Sequence, residues 1–472
     1  MTIRRKAAAV LVLLLSTVPL AAEAPRTLRL DYFHTGSATT EIFSVDRLVV
    51  EPLPWPGHPD RTLDAYGGGK YFFEVRDGEK VLYSQGFASI YGEWETTGEA
   101  RRVHRTFHES LRFPDPGKEV EIVLHKRGAA NAFEPVWTTT VDPSDIYVQT
   151  AAPAPQEVIT IRENGPPQDK VDLLVLGDGY TAEERPTFEK EARSIVDGLF
   201  AIEPFKAGAQ DFNVWAICPP EPQSGVSRPS TGIQRRTAIG ATYDAFGSER
   251  YVLTFENRSW RDVASWAPYE FVLIMTNSET YGGGGIYKLY STVAAKNDWA
   301  DYLVRHEFAH HFAGLADEYY TSDVAYELDE NRTEPWEANA TALHDPANLK
   351  WRDFMEGETP LPTPWPKQAF EEHSYEIQER RRALRAANRP ESEMTALFNE
   401  QMAFETKLFD QSPHRHAVGA FEGANYAGLG YYRPQLDCIM FSRNKVPFCR
   451  VCDATLQKVI DRYTPPPASP NQ

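Results

Sequence analysis

The sequence predicts two folded regions, an all-β sandwich followed by a mixed α/β (α+β) domain. Short runs of apolar and polar residues, separated by turn signals, fill residues 27–150 without a helix-length apolar stripe. Beyond a proline-rich linker at 151–155, largely apolar strand-length runs and helical patterns are typical of a sheet covered on both faces. A hydrophobic content of 42% and an aromatic content of 12% are those of a globular chain.

The first 22 residues combine a basic head with an apolar stretch of signal-peptide length. We interpret residues 1–22 as a signal peptide, cleaved after Ala22 or Ala24, and expect a secreted or periplasmic protein. The apolar run is shorter than the ~20 residues that a membrane span needs, so no stable membrane insertion is expected.

Residues 27–150 are expected to form an amino-terminal accessory domain. Its clearest strands are predicted over 70–75 and 120–125, and Asp77 with Gly78 marks a turn after the first of them. We interpret this β-sandwich as a binding or structural module.

Residues 156–464 are expected to form the second domain. Strands are predicted over 171–176, 212–217 and 271–275, and Thr181 with Glu184 makes a capping box for the helix after the first strand. Four consecutive glycines at 282–285 allow two interpretations, a flexible surface loop or a wall of a substrate cleft. Residues 345–412 are interpreted as a helical insertion with helices over 370–388 and 391–410, and residues 465–472 as a flexible tail.

The most informative segment is residues 306–310, which read His-Glu-Phe-Ala-His. On a helix the four-residue step from His306 to His310 is about one turn, so both rings project from one face and can bind one metal ion. Glu307 lies beside them, where it can take a proton from metal-activated water as a general base. The bare pattern also fits two surface histidines on an amphipathic helix, so the following residues decide between the two interpretations.

The segment after His310 favours the metal site. Gly314 can end the helix in a left-handed turn, and Asp317 and Glu318 follow from a chain that has just reversed direction. We predict zinc as the cofactor, with the two histidines and Asp317 as ligands and Glu318 as the alternative third ligand. His311 points about 100° away from His310 on a helix, so it is expected to pack or form hydrogen bonds.

Further downstream, Met440 lies between an apolar and an aromatic residue, in a run that continues to two cysteines. Together with the helix motif, its tail and the run at 418–426, these residues resemble the bacterial immunoglobulin A (IgA) peptidase family, metallopeptidase family sixty-four. The tail is similar to the metzincin pattern. It departs from that pattern because the glycine lies eight residues after His306 and the acid eleven, each one later than usual. The acid also stands where histidine is common.

The resemblance implies a secreted zinc endopeptidase that hydrolyses peptide bonds of protein or peptide substrates. It implies a tight turn at Met440 beneath the metal, and a sheet-edge strand before the zinc helix onto which an extended peptide adds by main-chain hydrogen bonds. Tyr319, Tyr432 and Arg433 are near the two motifs and are candidate donors to the negative oxygen of the tetrahedral intermediate. The sequence specifies neither the substrate, the substrate-binding residues nor the oligomeric state.

Four cysteines occur in the chain, at positions 218, 438, 449 and 452. Cys449 and Cys452 form a C-x-x-C, but no second C-x-x-C completes a zinc ribbon and no βαβ context supports a thioredoxin site. In an oxidising compartment we expect a disulfide between Cys438 and either Cys449 or Cys452, which would clamp the turn around Met440.

A net charge of -18 argues against a nucleic-acid partner, which requires a basic face. Two rival functions remain. One is a peptidase of the gluzincin plan, with Glu422 as third ligand, against which the early glycine after His310 argues. The other is a surface adhesin or glycan-binding protein whose β region is the working part, and which would need a structural zinc with every ligand position filled by protein.

Overall fold

The computed structural model describes residues 24–326, 331–357 and 359–464. The predicted signal peptide and the predicted tail at 465–472 lie outside the described residues. Across these three ranges, no helix combines the length and the apolar character needed to cross a bilayer.

The amino-terminal region is β-rich and contains two antiparallel sheets. Strands β1 (Arg26–Gly36), β2 (Glu41–Pro54) and β5 (Arg105–Pro114) form one sheet in the order β2-β1-β5. Strands β3 (Tyr71–Asp77), β4 (Lys80–Phe87), β6 (Val120–Arg127) and β7 (Phe133–Val141) form the other in the order β4-β3-β6-β7, and helix α1 (Ile90–Trp94) follows β4. Alternate apolar residues of both sheets share one core, including Leu28, Leu30, Phe73 and Ile122. The predicted strands at 70–75 and 120–125 are confirmed.

The second region is mixed α/β around a six-stranded sheet. Its strands are β8 (Val158–Arg162), β9 (Val171–Asp178), β10 (Phe212–Ile217), β13 (Phe271–Thr276), β14 (Gly283–Ile286) and β15 (Tyr290–Ala294). Strands β11 (Ala241–Thr242) and β12 (Leu253–Thr254) form a separate ribbon. The order is β14-β15-β13-β9-β10-β8, with four parallel central strands and antiparallel edges. The three strands predicted from apolar runs, β9, β10 and β13, are three of these four central strands, and their residues are almost all buried.

Helices cover the sheet and extend beyond it. They are α2 (Arg185–Leu199), α3 (Asn257–Ala264), α4 (Ala300–Ala313), α5 (Lys367–Ala386), α6 (Glu391–Asp410) and α7 (Arg450–Tyr463), with a hairpin of β16 (Phe421–Ala424) and β17 (Ala427–Arg433) between the last two. The predicted insertion helices at 370–388 and 391–410 are confirmed as α5 and α6 within a few residues. The predicted capping box of Thr181 and Glu184 is present, on a 3₁₀ turn that leads into α2.

The two regions pack against each other through a shared core. Ala88, Tyr91 and Trp94 belong to the same buried cluster as Leu174 of β9 and Ile274 of β13. The Ala88 N–H also donates to the Tyr287 carbonyl at 2.9 Å, just beyond β14. This packing brings the amino-terminal region close to the helix that carries the His-Glu-Phe-Ala-His segment.

Candidate metal centre

Helix α4 carries both histidines of the motif and ends where the sequence predicts. Gly314 adopts φ 62° and ψ 39°, and its N–H donates to the His310 carbonyl at 2.9 Å. A Cβ at Gly314 would lie 2.8 Å from Cζ3 of Trp336, so both the backbone conformation and the close ring require glycine. At the start of the helix, Oδ1 of Asn297 accepts a hydrogen bond from the Trp299 N–H at 2.9 Å.

Three side-chain atoms converge beside this helix. Nε2 of His306 and Nε2 of His310 are 3.2 Å apart, and Oδ1 of Asp317 lies 2.9 Å from the first and 3.2 Å from the second. Asp317 Oδ1 is buried and makes no aligned hydrogen bond with the described residues. Ligands of a tetrahedral zinc ion lie about 3.3 Å from one another, so this set of donors and its spacing fit zinc.

Backbone carbonyls hold both rings in this orientation. Nδ1 of His306 lies 3.1 Å from the Ile439 carbonyl, and Nδ1 of His310 lies 2.5 Å from the Leu315 carbonyl. Each Nδ1 therefore donates its proton to a carbonyl, so that in the neutral form of each ring the lone pair of Nε2 faces inward. Metal-ligating histidines are oriented by partners of this kind.

The charged forms of His310 and Asp317 stabilise each other. Burial alone would lower the pKa of His310, but the Asp317 carboxylate raises it to about 9. Burial likewise opposes ionisation of Asp317, yet His310 and His306 hold its pKa well below its usual range. In the absence of a cation, an imidazolium and a carboxylate neutralise each other here.

Glu307 lies on the side of the cluster that faces β14. Its carboxylate is within 4.8 Å of ligand nitrogens of both histidines, and burial raises its pKa. A Cβ at Gly283 would lie 2.9 Å from Cγ of Glu307, and one at Gly285 would overlap the Glu307 carbonyl and lie 2.8 Å from Cβ of His310. The run of glycines therefore allows α4 to pack directly on β14, and the flexible-loop interpretation of residues 282–285 is wrong.

Met440 lies in a tight turn next to this cluster. The Phe441 N–H donates to the Cys438 carbonyl at 2.9 Å, which closes the turn. The Met440 carbonyl accepts from the Glu318 N–H at 2.9 Å, and the neighbouring Ile439 carbonyl is the one that orients His306. Met440 itself is fully buried.

Comparison with known families agrees with these observations. Residues 159–460 match the family described as IgA Peptidase M64, and residues 21–138 match the family described as Peptidase M64 N-terminus. The chain belongs to the IgA peptidase M64 family. The resemblance drawn from the sequence is thus confirmed, and the protein is a peptidase of a metallopeptidase family. No curated protein matched the chain in a separate search.

The two alternative candidates for the third metal ligand, Glu318 and Glu422, do not face the histidines. The carboxylate of Glu318 faces Cys438, Cys449 and Cys452 instead of the histidines. Glu422 is bound to Lys367 Nζ at 2.8 Å on the hairpin, away from the cluster.

The prediction that His311 packs or forms hydrogen bonds, instead of binding the metal, is confirmed for its hydrogen bonds. Its Nδ1 donates to the Ile286 carbonyl at 3.0 Å, and its Nε2 accepts from the Val272 N–H at 3.0 Å. Burial lowers its pKa to about 3, so the ring is neutral and ties α4 to β13 and β14.

The three candidate oxyanion donors occupy different surroundings. Tyr319 lines the cleft in front of the histidines, and its ring stacks on His306 with centroids 6.1 Å apart. Arg433 is fully buried and donates to the carbonyls of Gly423 and Leu436. The backbone N–H and carbonyl of Tyr432 form hydrogen bonds with the backbone of Thr341. Neither Arg433 nor Tyr432 lines the cleft.

The sequence did not identify Tyr426, which holds the predicted third ligand. Its Oη donates to Oδ2 of Asp317 at 2.6 Å. Tyr426 and Asn425 form the hairpin turn with φ of 65° and 50°, and the Asn425 N–H donates to the Asp317 carbonyl at 2.9 Å. Hairpin turns with positive φ at both central residues favour asparagine, so Asn425 is a sequence signal for the turn, but it does not indicate which carboxylate the turn approaches.

The cleft is lined by both regions of the peptidase. Lys70, Glu93 and Thr96 of the amino-terminal region face the same space as Tyr319 and Tyr426. The expected open sheet edge is only partly present, because β14 bonds on its outer side to other segments. The Gly283 N–H donates to the Arg250 carbonyl at 3.0 Å, and the Gly283 carbonyl accepts from Val252 at 3.1 Å. An extended peptide cannot pair along the whole strand while these bonds are in place.

The expected disulfide of Cys438 is absent. All four cysteines lie in the described part of the chain and are free thiols. Cys438, Cys449 and Cys452 are buried together around the carboxyl group of Glu318.

Proposed function

We propose that this peptidase is a secreted or periplasmic, metzincin-like zinc endopeptidase, with a β-sandwich accessory domain over residues 27–150 and a catalytic domain over 156–464. His306, His310 and Asp317 are the zinc ligands, and Glu307 is the general base. The observation that supports this assignment is the convergence of two Nε2 atoms and one carboxylate oxygen within 3.2 Å of one another. Zinc bound there would polarise the scissile carbonyl and lower the pKa of a water molecule.

Glu307 performs the proton transfers. Its carboxylate is half-buried beside the two histidines, and desolvation raises its pKa above the usual carboxylate value, which suits a group that accepts a proton and then returns it. In the proposed reaction Glu307 takes a proton from the attacking water on a carboxylate oxygen and delivers it to the nitrogen of the leaving amine. The packing of α4 on Gly283 and Gly285 holds the carboxylate at the base of the cleft.

Tyr319 is the candidate that fits stabilisation of the oxyanion. Its hydroxyl oxygen accepts from Nη2 of Arg250 at 3.2 Å, which polarises the O–H bond. Burial raises the pKa of Tyr319 far above its usual range, so the hydroxyl keeps its proton and can donate it in a hydrogen bond. The amino-terminal region forms the facing wall of the cleft, and we propose that it contributes to substrate selection through Glu93 and Lys70.

The test is the variant Glu307→Gln. Cleavage of an unfolded protein substrate should fall by about 10²- to 10⁴-fold while zinc content stays at the wild-type value. Chelation should abolish cleavage by the wild type, and added zinc should restore it. Glu422→Gln is the matched control, since it alters a glutamate outside the cleft that bonds Lys367. A Glu307→Gln protein that cleaves at the wild-type rate would exclude Glu307 as the base.

A further inference from the structure

A second group of potential metal ligands lies behind the candidate centre. It consists of Glu318, Cys438, Cys449 and Cys452, whose ligand atoms all lie within 4.8 Å of one another. Each of the four side chains is at most 3% exposed. Oε1 of Glu318 lies 3.3 Å from Sγ of Cys452 and 4.0 Å from Sγ of Cys449. In a tetrahedral zinc site with one carboxylate oxygen and three sulfurs, the oxygen and each sulfur are about 3.5 Å apart.

The remaining polar atoms of the cluster also indicate a cation. Oε2 of Glu318 is buried and has no hydrogen-bond partner among the described residues, a costly arrangement for a carboxylate. The Cys449 N–H donates to Sγ of Cys438 at 3.2 Å, and the Cys452 N–H donates to Sγ of Cys449 at 3.5 Å. Backbone donors directed at sulfur stabilise thiolates that bind metal. A disulfide between any two of these cysteines would leave the third thiol and the carboxylate buried without a cation.

We propose that Glu318, Cys438, Cys449 and Cys452 bind a second zinc ion. Three thiolates and a carboxylate form a donor set that suits zinc, and all four tetrahedral positions are filled by protein. A site without a position for water or substrate is structural. The absence of a second C-x-x-C, which argued against a zinc ribbon, does not matter because Glu318 supplies the fourth ligand.

The second ion would join three segments that position the catalytic cluster. Glu318 directly follows Asp317, and its N–H bonds to the Met440 carbonyl at 2.9 Å. Cys438 opens the Met440 turn, and Cys449 caps α7 through its side chain. The ion would therefore fix the path of the chain on both sides of the catalytic ligands without touching substrate.

Metal counting on the purified full-length protein tests this proposal. After dialysis against metal-free buffer, the wild type should hold two zinc ions per chain. His306→Ala should retain one, Cys438→Ser with Cys452→Ser should lose the second-site ion, and the control Cys218→Ser should retain two. One zinc per wild-type chain, lost entirely in His306→Ala, would overturn the proposal and leave the catalytic site unaffected.

A spectroscopic measurement covers the case in which the double cysteine variant fails to fold. Cobalt loaded into the His306→Ala protein should show thiolate-to-cobalt charge-transfer absorption, because only the cysteine site offers sulfur ligands. Glu318→Cys in the same background should keep and strengthen that absorption, since a fourth thiolate completes the site. Absence of the absorption overturns the proposal. So does an intact mass two hydrogens below that of the fully reduced chain, because any disulfide within the chain must include at least one of these three cysteines.

Discussion

Replacement of Tyr426 by phenylalanine should weaken zinc binding without removing a ligand. The hydroxyl donates to Oδ2 of Asp317 at 2.6 Å, in a partly buried hydrogen bond. Burial, with Asp317 nearby, raises the pKa of Tyr426 well above its usual range, so the hydroxyl remains a donor. Hydrogen bonds to charged groups contribute about 1.5 to 3 kcal/mol, which corresponds to about 10- to 100-fold in zinc affinity.

The assay is competition for zinc between the protein and a chelator of known affinity. Tyr431→Phe is the matched control, because that buried tyrosine lies on the same hairpin but donates to the Thr333 carbonyl at 3.0 Å. Thermal unfolding of the metal-free proteins separates a loss of folding from a loss of zinc affinity. Equal zinc affinity in Tyr426→Phe and the wild type would refute the role of this hydroxyl in orienting Asp317.

Three further outcomes are expected. Gly285→Ala should lower the free energy of unfolding by about 1 to 3 kcal/mol and reduce activity, because its Cβ would overlap the backbone of α4. Gly128→Ala is the control, since a Cβ there meets only ordinary contacts. Equal stability of the two variants would contradict the packing argument. His311→Ala should lower the free energy of unfolding, measured by chemical denaturation, by about 2 to 5 kcal/mol, since it leaves a cavity and an unpaired Val272 N–H. A denaturation midpoint equal to that of the wild type would contradict this structural role of His311. The pKa of His310 is raised to about 9 in the metal-free protein, so zinc must displace its proton at pH 7. Calorimetry in buffers of different ionisation enthalpy should then detect about one proton released per zinc, with affinity that rises as pH increases towards 9; affinity independent of pH in this window would show that His310 binds zinc without losing a proton.

Local sequence patterns were sufficient for the elements that rest on spacing alone. The apolar runs at β9, β10 and β13 are buried on both faces, as their composition indicates. The step from His306 to His310 fixes the relative direction of two rings on one helix, and Gly314 marks where that helix ends. These features depend on residues within one or two turns of each other, so tertiary packing did not have to be known.

The glycine run was harder to interpret for a physical reason. A strand of Gly-Gly-Gly-Ile has no side-chain alternation, so its residues give no period from which a strand can be recognised. Its identity comes from its neighbours, because β15 pairs with it on one side and α4 packs on it. The same neighbours, with the segment at 250–252, determine how much of its edge remains open to a peptide.

Contacts over long sequence separations could not be predicted in this way. Tyr426 is 109 residues from Asp317, and Cys452 is 134 residues from Glu318. Such pairs meet only because the hairpin and α7 return to the end of α4. No local pattern records that return, and the cysteines were therefore paired with one another in the expectation.

The two consecutive acids show how backbone geometry resolves a choice that composition leaves open. The carbonyls of Asp317 and Tyr319 accept hydrogen bonds from Asn425 and Tyr426, whereas the N–H of Glu318 between them donates to Met440 on the other side. Alternating bonds of this kind are those of an extended chain, in which successive side chains point to opposite faces. Asp317 therefore faces the histidines and Glu318 faces the cysteines. The acids that appeared to be rivals for one ion lie in positions to serve two, and an insertion of one residue between His310 and Asp317 would exchange their directions and should disable both sites.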